Sequence, residues 1–262
     1  MVAVGVQLKK DTLNEENAKF SQAPLGRPVF LNSVPKCGSH LLRNIVRMFV
    51  PVDQHYDIQF VQHQMLERHL AAFADPRNYL SWGHLIFTDR TAVAVGNLHH
   101  LLLVRDPYDW VMARARFFLS EEFKGLDLLK EGTLTIDALL NMMIFGLPER
   151  AAPLATTFVY NAVGWIGSGA YLVRYEELVA ALLDLEDKKS EAYFRSLLET
   201  CGIDLPDDWR ERVRIGSDRK QSGTARENLT GVSVEFPKVL PNAQKAMVDM
   251  VAPGLRHILG YK

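Results

Sequence analysis

Cysteine is almost missing from this chain. Its two cysteines, Cys37 and Cys201, lie far apart and match no C-x-x-C spacing, which excludes a disulfide framework and a cysteine metal cluster. A reducing, cytoplasmic setting fits that usage. An excess of either charge is missing too: 30 Lys and Arg stand against 31 Asp and Glu, for a formal net charge of −1. Such a chain has no global attraction for nucleic acid or an anionic membrane, so any bound anion needs a local pocket. The first residues, MVAVGVQLKKDTLNEENAKF, lack the apolar core of a secretory signal. The longest uncharged stretch, Ala151 to Val173, is long enough to span a bilayer. Pro153, Thr156, Thr157, Asn161 and Ser168 dilute it, and Gly164, Gly167 and Gly169 break its end. It reads as a buried helix, a glycine turn and the start of a strand, so no membrane span is expected. Repeats and low-complexity tracts are absent as well.

What is present is ordinary globular material: 48% apolar and 23% charged residues, with 17 Gly and 12 Pro in 262 residues. The pattern predicts a polar N-terminal arm over 1–27 and one α/β domain over 28–262. Val29-Phe30-Leu31 reads as a strand, Ser33 to Gly38 as a turn, and Leu41, Leu42, Ile45, Val46 and Phe49 as one helical face. Asp57 to Ala74 reads as a second helix and Tyr79 to Leu85 as a short strand. His100 to Val104 is an apolar strand that ends at Arg105-Asp106-Pro107, with a helix from Tyr108 to Phe118. Helices are expected at Ile136 to Phe145, Pro153 to Trp165 and Glu176 to Leu185, and a strand at Ala170 to Val173. After Ser190 the pattern is helical apart from a polar loop, Gly216 to Gly231, and the last helix is expected to kink at Pro253. Strands alternating with helices imply a central parallel sheet covered on both faces. Ligands of such sheets bind beyond the carboxyl ends of the strands.

Three segments with chemistry fall at those ends. Pro35-Lys36-Cys37-Gly38-Ser39-His40 joins a strand to a helix, so helix amides and a lysine surround one anion-sized spot. It is no Walker loop, because the lysine precedes the glycine instead of following it. Cys37, beside a lysine and near a helix start, is expected to be a reactive thiol. Val104-Arg105-Asp106-Pro107-Tyr108-Asp109 places an arginine where its planar fork can hold a phosphate. Arg174-Tyr175-Glu176-Glu177 supplies the third.

Together these segments resemble the PAPS-dependent sulfotransferases. PKCGSHLL resembles that family's 5′-phosphosulfate loop PKSGTTWL, LLLVRDPYDWVMA its 3′-phosphate segment VRNPKDVAVS, and YLVRYEELV its YEDL signature. Their order and spacing agree from about Pro28 to Tyr261, and the closing ILGYK is similar to the end of these proteins. The resemblance implies a P-loop-like sulfotransferase fold that transfers the sulfuryl group of 3′-phosphoadenosine 5′-phosphosulfate (PAPS) in line to an acceptor hydroxyl, or less often an amine, without a required metal. It implies that Lys36 holds the bridging oxygen and 5′-phosphate, together with Cys37, Gly38, Ser39, His40 and Leu41 of the same loop and helix. Arg105 and the position of Ala113 fall to the 3′-phosphate, and Tyr175 to the adenine. Arg219 and Lys220 partly match the family's basic RKG loop. His84, in Trp82-Gly83-His84-Leu85, stands 21 residues before Arg105, where the family's histidine base lies. A histidine there would take the acceptor's proton as it attacks sulfur.

Departures from the pattern are Leu41 for an adenine-stacking tryptophan, Ala113 for a 3′-phosphate serine and Trp82 for a lysine. Arg114 or Arg116 is a candidate to compensate for Ala113. The competing readings are a small-metabolite P-loop kinase, which lacks its GK[ST] signature here, and a non-catalytic nucleotide-binding relative. The expected partner is a small-molecule or glycan acceptor, for which Phe117 to Gly146 is a candidate wall, and a homodimer is compatible with the pattern.

Overall fold

The computed structural model describes residues 11–57, 60–120, 133–221 and 235–262. Within them five strands form one sheet: β1 (Val29–Ser33), β2 (Val61–Gln62), β3 (Leu80–His84), β4 (His99–Val104) and β5 (Tyr171–Arg174). Their order is β2-β3-β1-β4-β5 and every pairing is parallel. β1 is buried along its whole length and β4 at all but its first residue. Strands covered on both faces carry continuous apolar runs, which is why VFL and LLLV were legible as strands. The chain leaves β1 toward the β2 edge and leaves β4 toward the β5 edge, so the carboxyl ends of β1 and β4 flank the point where the winding reverses.

The helices are α1 (Leu13–Asn17), α2 (Ser39–Arg47), α3 (Ala71–Ala74), α4 (Asp89–Ala94), α5 (Pro107–Leu119), α6 (Ile136–Phe145), α7 (Leu154–Asn161), α8 (Tyr175–Leu183), α9 (Lys188–Thr200), α10 (Trp209–Ser217), α11 (Asn242–Val251) and α12 (Leu255–Ile258). The chain divides into two compact units. The first, Lys10–Val104 with Tyr160–Gly223, holds the whole sheet. There α2 packs on β1 and β3, and α10 packs on α2. A Cβ at Gly216 of α10 would come within 2.6 Å of the Asn44 carbonyl oxygen, so only glycine lets those two helices approach so closely. The second unit includes Arg105–Val159 and Thr224–Lys262, where α5, α6 and α11 pack together. None of the described helices is long and apolar enough to cross a membrane.

Several elements differ from the sequence expectation. Residues 57–74 are not one helix: Val61–Gln62 adds to the sheet beside β3, and a 3-10 turn over His63–His69 precedes the short α3. Sheet hydrogen bonds to β3 outweigh the helical spacing of the apolar residues. Helix α4 carries no strong apolar period; its signal is the reciprocal Thr88 and Thr91 capping box. Gly216 belongs to α10, so the polar loop begins later, and its residues 222–231 lie outside the described residues. Pro253 separates α11 from α12 instead of kinking one helix. The N-terminal segment is tied down from Asp11, whose carboxylate pairs with Arg47 of α2. Asn17 donates to the Arg47 and Val50 carbonyls at 2.9 and 2.8 Å, which caps the end of α2.

Candidate functional site

The turn after β1 is built by two left-handed residues. Val34 extends the β1–β4 ladder by donating to the Leu103 carbonyl at 3.1 Å, and Cys37 N–H closes the turn onto the Val34 carbonyl at 3.2 Å. Lys36 has φ 70° and Gly38 φ 93°. For lysine this conformation costs about 1–2 kcal/mol, and such strain collects at ligand-binding turns. Gly38 caps α2, and its carbonyl accepts from Leu41 and Leu42 at 3.0 and 3.3 Å. The Ser39 and His40 amides open α2 ahead of its first intrahelical bonds, and the first turn holds no acidic side chain, which leaves a positive helix end beside Lys36. Ser39 is buried at the first helical position, and Leu41 is half-buried. Cys37 is fully buried and outside any disulfide, so its side chain faces the core and the expected reactive thiol is corrected.

Tyr175 completes this turn from the other side. It opens α8 directly after β5, and a Cβ at Gly38 would meet its Cδ2 and Cε2 atoms at 2.5 Å. Thus the first and third motifs of the sequence converge, and Gly38 is required by backbone conformation and by the ring together. Glu177, one turn along, pairs with Arg174 at 2.7 Å.

At the carboxyl end of β3, Trp82 and His84 project from the same side of the strand, two residues apart. The Nδ1 atom of His84 lies 3.0 Å from both the backbone oxygen and the hydroxyl of Ser33. A carbonyl only accepts, so Nδ1 carries the proton and Nε2 keeps the lone pair. The imidazole is half-buried at its surface, yet desolvation pushes its pKa down to about 4, with Lys36 contributing and the Ser33 carbonyl opposing. An ordinary histidine titrates near 6.5; burial keeps this one neutral over the whole physiological range.

His40 sits edge-on to Trp82 at 4.8 Å, and its buried Nδ1 has no hydrogen-bond partner among the described residues. Burial, then Arg43, Lys36 and His84, push its pKa down to about 3. The Trp82 ring also carries the Arg43 guanidinium at 4.9 Å and lies 5.4 Å from Phe60, which in turn is 5.5 Å from His84.

The remaining candidates belong to other parts of the chain. Arg105 is half-buried and follows the last residue of β4. Asp106 caps α5 through Tyr108 N–H at 2.9 Å and forms a two-pronged pair with Arg256 at 3.1 and 3.0 Å. Ala113 is buried within α5 and not on an exposed helix face. Arg114 is buried as well, donates to the Met143 and Ala152 carbonyls at 3.0 and 2.8 Å, and stacks on Trp110. Its groups are committed inside the second unit, so it does not substitute for a serine at 113. Arg116 lies over the Phe236 ring at 4.8 Å. Arg219 and Lys220 sit in the exposed turn after α10, where Lys220 N–H meets the Asp218 carboxylate at 2.8 Å.

No family model matches the chain, and no curated protein matches its sequence. Among solved structures, mouse sulfotransferase SULT7A1 complexed with PAP is similar over 98% of this chain and 96% of its own, with a TM-score of 0.58 and 14% identity. The chain has the sulfotransferase fold. At that identity the likeness is one of fold, and it agrees with the five-stranded parallel sheet and its flanking helices.

Sequence reasoning passed over three residues that shape this site. Ser33 holds His84. Buried Asn32 accepts from Leu85 N–H at 2.9 Å and donates to the Leu85 carbonyl at 3.3 Å, which pins the chain just past His84. A polar pair ending the apolar VFL run was the available signal. Phe60 had none, since only the sheet brings it to Trp82.

Proposed function

We propose that this protein is a sulfotransferase that moves the sulfuryl group of PAPS to an acceptor hydroxyl, and less readily to an amine. The carrying observation is the meeting of the left-handed Lys36–Gly38 turn, the Tyr175 ring and the Ser33-held His84 at one end of a parallel sheet. The sulfotransferase fold supports it. The residues present suit an anionic nucleotide: a helix start without acidic groups, a lysine beside it and an aromatic ring on the capping glycine.

In this reading Lys36, with the Cys37, Gly38, Ser39 and His40 backbone and the Ser39 hydroxyl, holds the 5′-phosphosulfate. Tyr175 and Leu41 meet the adenine, Arg105 binds the 3′-phosphate, and Arg219 and Lys220 add positive charge. His84 Nδ1 stays bonded to the Ser33 carbonyl, so Nε2 takes the acceptor proton. The acceptor oxygen forms its bond to sulfur as the bond from sulfur to the bridging phosphate oxygen breaks. Lys36 stabilises the charge left on that oxygen, and adenosine 3′,5′-bisphosphate departs. Such proton transfer contributes about 10²–10⁴ in rate.

The test is to incubate the protein with PAPS and a panel of phenols, sugars, sterols and amines, reading product mass for an added sulfuryl group and release of the bisphosphate. Parallel reactions contain ATP. Sulfuryl transfer that collapses in His84→Ala is expected. Phosphoryl transfer from ATP, or no bisphosphate above the blank, would overturn the proposal.

A further inference from the structure

In the second unit the residue after Arg105 is locked from three directions. Asp106 adopts extended backbone, φ −50° and ψ 124°, as the residue before a proline must, and Pro107 begins α5. Its carboxylate caps that helix and receives both prongs of the Arg256 guanidinium, from Nε and Nη2. The same guanidinium lies over the Tyr108 ring, 4.2 Å from its centroid, and the Tyr108 hydroxyl donates to Asp249 of α11 at 2.7 and 2.8 Å. Arg256 is held in turn by its own short helix, since Leu255 and Leu259 on either side are buried. These contacts tie the chain's last helix to the segment that directly follows Arg105. The Arg256 and Asp106 side chains are only 25% and 16% exposed, so their pairing is shielded from solvent far more than a surface pair.

We infer that Arg256 is a positioning residue for Arg105, acting through Asp106, and that it sets the protein's preference for a nucleotide bearing a 3′-phosphate. The inference rests on the assignment of Arg105 to that phosphate. Nothing in the sequence motifs marks Arg256, which lies about 150 residues away from Asp106. A fork to both carboxylate oxygens fixes direction as well as distance, which a lysine cannot do. Losing it frees Asp106 to rotate while the cap to Tyr108 can persist, and an arginine misplaced by about 1 Å loses much of its grip on a phosphate.

The experiment compares dissociation constants for adenosine 3′,5′-bisphosphate and adenosine 5′-monophosphate in the full chain by calorimetry. For Arg256→Met the preference for the bisphosphate is expected to fall about tenfold, with monophosphate affinity within about twofold of wild type. Arg256→Lys should recover little of it. Asp106→Asn keeps an oxygen for the helix cap and removes the charge, so it should reproduce the loss; it also serves if Arg256→Met does not fold. Tyr108→Phe, which leaves the fork intact, should keep the wild-type ratio. A lower melting temperature with an unchanged ratio in the foldable variants would reduce Arg256 to a structural role and overturn the inference. Arg105→Ala separates the two layers. If it lowers the ratio and the Arg256 and Asp106 variants do not, only the positioning role fails; if Arg105→Ala leaves the ratio intact, the 3′-phosphate assignment fails and takes this inference with it.

Discussion

The Tyr175 ring lies where the side chain of any residue larger than glycine at position 38 would have to go, within 2.5 Å of a Cβ there. One contact therefore joins the loop after β1 to the helix after β5. Gly38→Ala is expected to cost about 2–5 kcal/mol, the sum of a left-handed alanine and an overpacked ring. In a Tyr175→Ala background the packing share, about 1–3 kcal/mol, should disappear while the backbone share remains. Urea titrations of the four proteins check this; equal costs in both backgrounds would mean that the ring yields freely.

Activity should persist well into acid. His84 has its pKa pushed down to about 4 by burial, so its base form dominates above that pH. The acidic limb of kcat/KM is expected near pH 4 and not near 6.5, and a limb at 6.5 would point to a different base.

Stability should fall over part of the same range. His84 and His100 titrate near 4 and His40 near 3 in the fold, against 6.5 in the unfolded chain. Above pH 6.5 all three are neutral in both states and nothing is lost. Below it the unfolded chain binds protons first, so stability drops with a slope of up to about 1.4 kcal/mol per pH unit for each histidine. His100 lies among Phe30 and Trp165, outside the candidate site, and its Nε2 has no hydrogen-bond partner among the described residues. His100→Leu should remove one proton's share of that slope between pH 6.5 and 4, measured as urea midpoints, with activity at pH 7 retained.

Arg114→Ala is expected to destabilise by about 3–5 kcal/mol, because the Met143 and Ala152 carbonyls lose a buried cation and its packing on Trp110 is lost. Discrimination between the bisphosphate and the monophosphate should not change. Ala113→Ser buries a hydroxyl in a packed helix and should cost about 1–3 kcal/mol with no gain in affinity. Tighter bisphosphate binding in Ala113→Ser would contradict its burial.

Cys37 should label slowly with iodoacetamide in the native state, with or without saturating nucleotide, and rapidly in urea. Its side chain is fully buried, so reaction waits for local opening. Fast native labelling that nucleotide blocks would place the thiol at the surface of the loop.

Local chemistry made much of this protein legible from its residues alone. VFL and LLLV read as buried strands, Pro107 marked the first turn of a helix, and a lysine and glycine before a helix start marked a strand-to-helix turn, because each follows from backbone sterics and short-range apolar spacing. What required the tertiary structure were relationships between distant segments: β2 pairing at the sheet edge in place of a helix, Tyr175 on Gly38, Ser33 under His84 and Arg256 on Asp106. Burial was decided at the same level. Cys37 read as a reactive thiol and Arg114 as a candidate to compensate for Ala113, yet all three are buried, and desolvation and packing depend on what the rest of the chain stacks against them. Sequence spacing carries periodicity along one element; it carries no information on which element faces it, and that is what set the pKa of His84 and the partners of each arginine.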